Sequence, residues 1–191
     1  APEGFPSIGA RGCFMSHLGV LRTAQRLGLQ RVAIFEDDLD FAADFNKRIQ
    51  PLLGQLASAN WSMFYGGYHL EQTLAGQPCG ALLEAQSDGL IGTTHFVVFQ
   101  GAAIAAAVRY LEAILARPAG DPDGGPMHVD GAYNWFRRAN PQFKTVLAIP
   151  ELGFQRSSRT DIHDLRWYDT TPLVRGLVAA LRLLNNALIR R

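Results

Sequence analysis

Between Gly12 and Leu27 apolar side chains recur three or four residues apart, at Phe14, Leu18, Leu21, Ala24 and Leu27. That spacing lines one face of a helix, and Gly28 supplies its stop. Arg31 to Phe35 is a short β-branched and aromatic run between polar boundaries, which predicts a strand buried on both faces. A helix is expected from about Asp44 to Ala57, with Pro51 either kinking it or opening a second piece. Trp61 to Tyr65 predicts a strand running into Gly66-Gly67. From Leu70 to Gly92, glycine and proline interrupt everything but the apolar stretch Ala81 to Leu83, so a loop with at most a hairpin is expected. His95 to Phe99 predicts another strand. Gly101 to Ala116 predicts an alanine-rich helix striped by Ile104, Val108, Leu111 and Leu115. A surface loop from Arg117 to Met127, a helix from Val129 to Ala139 and a last strand from Lys144 to Ile149, ended by Pro150, complete this part. Residues 151–171 show no clear period, and Leu173 to Ile189 predicts a final amphipathic helix.

Strand and helix alternate through the first 150 residues, which favours an α/β domain with a mostly parallel sheet flanked by helices. With 191 residues, 48% of them hydrophobic, the chain has enough apolar surface for one substantial core. The formal net charge of +1 advertises no nucleic-acid or other polyanion partner. Cys13 and Cys79 are too few for a disulfide framework and suit a reducing compartment. Neither a bilayer-crossing apolar stretch nor a signal-peptide pattern is evident, so a cytoplasmic protein is expected. The chain starts without Met close to a motif-bearing segment, and an upstream portion is expected to precede it.

Phe35-Glu36-Asp37-Asp38-Leu39-Asp40 carries the chemistry. Four carboxylates in five positions repel one another, and at the end of a strand they call for a cation. Hard oxygen ligands on a short turn suit Mg²⁺ or Mn²⁺, which bind through one or two carboxylates plus substrate phosphates. A nucleotide-diphosphate site follows, with a solvated acidic turn as the bland alternative. In open α/β sheets ligands collect at the carboxyl ends of strands, where this cluster is expected.

Gly12, Cys13, Ser16 and His17, followed by a helix and a strand closing on Glu36, Asp37 and Asp38, resemble the signature of glycosyltransferase family 25. That family includes bacterial lipooligosaccharide sugar transferases and animal collagen galactosyltransferases. Gly92-Thr93-Thr94-His95-Phe96, His128-Val129-Asp130, Ile149-Pro150, Gln155 and Asp161-Ile162 extend the resemblance over roughly residues 9–163. His128 stands where proline is usual, and Phe96 where tyrosine is. The resemblance implies a GT-A-like, Rossmann-type domain over 1–163, lacking its first strand and helix, and a C-terminal helical extension over 164–191. It also implies metal-dependent transfer of a hexose, with galactose foremost, from a UDP-sugar to a surface glycan with inversion. The partners would be a nucleotide-sugar donor and a glycan or glycolipid acceptor.

Inversion requires a general base on the acceptor hydroxyl, and the metal neutralises charge on the departing diphosphate. Asp130, in a separate segment at a helix start, is the candidate base; an ordinary N-terminal helix carboxylate is the other reading. Asp38, helped by Glu36 or Asp40, is assigned to the metal, because alternate side chains of an extended segment share a side. His163 is a further candidate ligand, or a solvated loop histidine. Ser16 and His17 either bind sugar or phosphate or bond a neighbouring carbonyl. Gly92 and Thr93 join the substrate-binding set, as do Gln155 and Ser157, which could also be plain surface residues. The C-terminal helix either packs on the domain or touches the inner membrane. Competing classes are a Mg²⁺-dependent phosphohydrolase and a truncated, non-catalytic binding module.

Overall fold

The structure, a computed structural model, describes residues 2–70 and 78–156. Helix α1, Ile8–Arg26, starts where the Ser7 hydroxyl accepts the Ala10 N–H at 3.0 Å. It ends at Gly28, whose φ of +66° few other residues tolerate. Strand β1, Arg31–Phe35, runs into a turn and then β2, Leu39–Phe41. Helix α2, Phe45–Ser58, passes through Pro51 without ending. Strands β3, Met63–His69, β4, Leu82–Ala85, and β5, Gly92–Gln100, follow. Then come helices α3, Ala102–Ala116, and α4, Val129–Ala139, and strands β6, Thr145–Ala148, and β7, Gly153–Gln155.

Five strands form one sheet in the order β1-β5-β3-β6-β4, and β2 pairs with β7 in a separate antiparallel ribbon. Among the described residues only the β3·β6 pair is parallel. The expected mostly parallel sheet is therefore corrected to a mixed, mostly antiparallel one. The alternation of elements along the chain did not determine strand direction. The continuous apolar runs arise because both faces are covered, a condition parallel sheets require but antiparallel ones can also meet.

Alternate side chains serve two cores, as the period of two in a strand demands. Met63, Tyr65, Val97, Phe99 and Leu147 pack with Phe14, Leu18, Leu21, Leu111 and Phe136 of α1, α3 and α4. Phe64, Phe96, Val146 and Ala148 pack with Leu52 and Leu56 of α2. Strand β1 was expected to be buried on both faces, but it lies at the sheet edge with only Ile34 buried. A bulge in β3 at Gly66-Gly67 lets the rings of Phe96 and His95 lie against the strand, where any Cβ would collide with them.

The α1 stripe supplies an internal comparison. Leu18 is fully buried, whereas Leu27, on the same sequence stripe, lies just past the helix and is 59% exposed. Leu18→Ala should cost about 2–5 kcal/mol in urea denaturation, and Leu27→Ala within about 0.5 kcal/mol.

Candidate active site

The chain leaves β1 through a tight turn, in which the Leu39 N–H donates to the Glu36 carbonyl at 3.2 Å. The extended run assumed across 36–40 is thus absent, and consecutive acidic side chains diverge. Glu36 turns toward α1. Its Oε1 accepts from the Thr94 hydroxyl at 2.5 Å, meets His17 Nε2 at 3.1 Å and lies 3.9 Å from Cys13 Sγ. Cys13 and His17 reach it together because residues four apart share a helix face. His17 Nδ1 meets the buried Tyr133 hydroxyl of α4 at 3.0 Å. With that hydroxyl donating to Nδ1, Nε2–H donates to Glu36, and the chain of bonds closes.

Burial alone would raise the Glu36 pKa, but the His17 and Thr94 hydrogen bonds outweigh it and hold the carboxyl below its ordinary value. Burial, with the Glu36 charge adding to it, pushes the Cys13 thiol up to about 12, so Cys13 is no thiolate nucleophile here.

Asp38 turns the other way. Its Oδ2 accepts from Gln155 Nε2 at 2.9 Å, while Oδ1 is buried without a hydrogen-bond partner. Burial raises its pKa, and the Glu36 and Asp37 charges add to that against the Gln155 bond. The β2·β7 ribbon, which pairs Leu39 with Gln155, is what brings Gln155 here. Beyond it, the Arg156 N–H donates to the Asp38 carbonyl at 2.7 Å and its guanidinium to the Asp37 carbonyl at 2.9 Å. A buried carboxylate oxygen lacking a donor, among further carboxylates, fits a hard dication such as Mg²⁺ or Mn²⁺.

Asp130 lies in the first turn of α4, where its Oδ2 accepts the Thr93 N–H at 3.2 Å and Oδ1 the Gly131 N–H at 2.7 Å. Thr93 holds a φ of +59°, rare for a β-branched residue, and its hydroxyl oxygen is buried without a partner. A cavity of about 180 Å³ is lined by Cys13, Glu36, Thr93, Thr94, Asp130 and Gln155, among others.

The fold thus gathers Glu36, Thr93, Asp130 and Gln155 around one cavity, with His17 behind Glu36 and Asp38 on Gln155. Ser16 is exposed on α1 and does not line it. Gly92 opens β5 opposite His69, and Asp40 sits in β2 opposite Phe154; neither lines it. Ser157 and His163 lie outside the described residues, as does the helix expected over 173–189. Thr94 and Tyr133 were missed. Tyr133 carried no signal beyond its place on an apolar helix stripe, and Thr94 was only part of the glycine-threonine motif.

Residues 7–73 match glycosyltransferase family 25 (LPS biosynthesis protein). The resemblance seen in the sequence is borne out over that stretch. Over 61 residues the chain is 39% identical to procollagen galactosyltransferase 1-A of Xenopus laevis. Over the same length it is 36% identical to procollagen galactosyltransferase 1 of Danio rerio and 34% to inactive glycosyltransferase 25 family member 3 of Homo sapiens. Each alignment takes in 31% of this chain and 10% of the relative.

His17→Ala should leave Glu36 and the Tyr133 hydroxyl short of a partner and cost about 1–3 kcal/mol. Because the folded Glu36 pKa is depressed, its contribution is present above the ordinary value of 4.5 and lost as pH falls through the folded value. Urea titrations across that acid range should show the gap between wild type and His17→Ala narrowing as pH drops. A gap independent of pH would contradict the assignment.

Proposed function

We propose that this protein is a metal-dependent, inverting glycosyltransferase that moves a hexose, galactose foremost, from a UDP-sugar to a surface glycan. The observation carrying this reading is that Asp130, a separately held carboxylate, lines one cavity with Glu36 at the head of the acidic turn and with Gln155, to which Asp38 is bonded. The family 25 match over residues 7–73, with its description as LPS biosynthesis, supports sugar transfer and a lipopolysaccharide-type acceptor. The names of the Xenopus and Danio relatives, both procollagen galactosyltransferases, favour galactose. A GT-A-like arrangement at the cytoplasmic face belongs to the same proposal. No helix among the described residues is long and apolar enough to cross a membrane.

In this reading Asp130 accepts the proton of the acceptor hydroxyl as that oxygen attacks the anomeric carbon. The Thr93 and Gly131 N–H groups fix its orientation. Asp38, with Asp40, would hold Mn²⁺ or Mg²⁺, since Glu36 is engaged by His17 and Thr94, and Gln155 orients Asp38. The ion supplies charge neutralisation on the diphosphate leaving group. The Thr93 hydroxyl, buried and free to bond, faces the same cavity and would meet a sugar hydroxyl.

A non-catalytic binding module is the competing reading, favoured by relatives that match the same length of chain and are named inactive. Transfer from UDP-galactose in the presence of Mn²⁺ separates the two. Asp130→Asn should lower kcat by roughly 10²-fold or more with donor affinity within about threefold of wild type. Asp38→Asn should instead abolish Mn²⁺-dependent donor binding, read by calorimetry. Wild-type turnover in Asp130→Asn would remove it as the base, and donor binding without transfer by the wild type would favour the module.

A further inference from the structure

We infer that Cys13, His17 and Glu36 form a second cation site on the α1 side of the cavity, suited to a borderline-soft dication such as Zn²⁺. It is distinct from the hard-ion position proposed at Asp38, and it stands on its own geometry whether or not the transfer reading holds. One thiol sulfur, one imidazole nitrogen and one carboxylate oxygen lie within 4.8 Å of one another. Around a tetrahedral Zn²⁺, with bonds of about 2.0–2.3 Å, such ligand atoms stand about 3.3–3.5 Å apart. The His17 Nε2 to Glu36 Oε1 separation of 3.1 Å and the Cys13 Sγ to Glu36 Oε1 separation of 3.9 Å already approach that. The remaining pair needs to close by no more than roughly 1.5 Å.

The donor set is unlike the one at Asp38. A sulfur and an imidazole nitrogen favour Zn²⁺ over Mg²⁺ or Mn²⁺, which prefer an all-oxygen shell. Thiolate and carboxylate together balance the charge of a dication. The surroundings supply the orienting contacts that metal ligands characteristically have. Tyr133 fixes the His17 ring through Nδ1, and the Thr94 hydroxyl fixes the Glu36 carboxylate. On binding, the His17 tautomer reverses: Nδ1–H donates to the Tyr133 hydroxyl, Nε2 gives its lone pair to the ion, and the Cys13 proton leaves to solvent. Cys13 and Glu36 line the cavity, so three protein ligands leave a fourth position open toward it.

Co²⁺ is the spectroscopic probe and Zn²⁺ the competitor, used in a Cys79→Ala background so that the exposed second thiol contributes nothing. A thiolate-to-cobalt charge-transfer band should appear and be bleached by one equivalent of Zn²⁺. Cys13→Ser should abolish the band, and His17→Gln should weaken Zn²⁺ binding at least about tenfold. Asp38→Asn should leave both unchanged. Circular dichroism melts establish that each variant is folded, and Tyr133→Phe, which keeps all three ligands, should retain the band with weaker binding. Absence of the band in the Cys79→Ala protein, Zn²⁺ affinity unaltered by Cys13→Ser, or loss of binding in Asp38→Asn would each overturn the inference.

Discussion

A carboxylate buried at the end of an edge strand is the constraint around which this structure is arranged. Glu36 is only 14% exposed, and taking a carboxylate out of water costs several kcal/mol unless donors replace the water. Three elements supply that replacement or support it: α1 through His17, β5 through Thr94, and α4 through the Tyr133 hydroxyl behind the imidazole. The same bonds therefore fix where α1 crosses the sheet and where α4 begins. Asp130, in the first turn of α4, inherits its position from them.

The other wall of the cavity is held by side chains of α4 that bond the backbone of the loop before Thr93. Asn134 of α4 accepts the Ile91 N–H and donates to the Ile91 carbonyl, at 3.0 and 2.8 Å, as a neighbouring strand would. Buried Arg137, one turn on, donates to the carbonyls of Gln86 and Gly89 and to the Thr145 hydroxyl. These bonds clamp the loop that enters β5, and Thr93 keeps its positive φ two residues after that clamp. A strained residue persists only where its surroundings over-determine it. Here the clamp on one side and the Asp130 carboxylate on the other do so.

Helix positions were legible because packing on one face leaves a period: α1, α3 and α4 begin and end within a few residues of the apolar stripes that announced them. Strand direction was not, since a strand covered on both faces has the same apolar run whether its neighbour is parallel or antiparallel. The three-residue strands β2 and β7 are too short to carry a period, and β2 lies within the acidic stretch that looked like an isolated ligand cluster. That omission mattered for the site, because the ribbon is what places Gln155 on Asp38. Glu36, Asp38, Asp130 and Thr93 were recognisable by residue type and motif. The partners that orient them were not, because Thr94 meets Glu36 across 58 residues and Tyr133 meets His17 across 116.

The residues around the cavity divide along the chain in a way that bears on the relatives. Cys13, His17, Glu36 and Asp38 all fall within 7–73, the stretch that matches family 25. Thr93, Asp130 and Gln155 all come from beyond it. Similarity confined to the first stretch therefore speaks to the buried carboxylate, its helix and the acidic turn, and not to the carboxylate that would take a proton. A protein can keep the first half, with its packing intact, and lose turnover through the second, so relatives named as transferases and as inactive can match the same segment almost equally well. In this chain Asp130 lines the same cavity as Glu36 and is fixed by two backbone N–H groups, so the second stretch completes the carboxylate pair that the matched stretch begins.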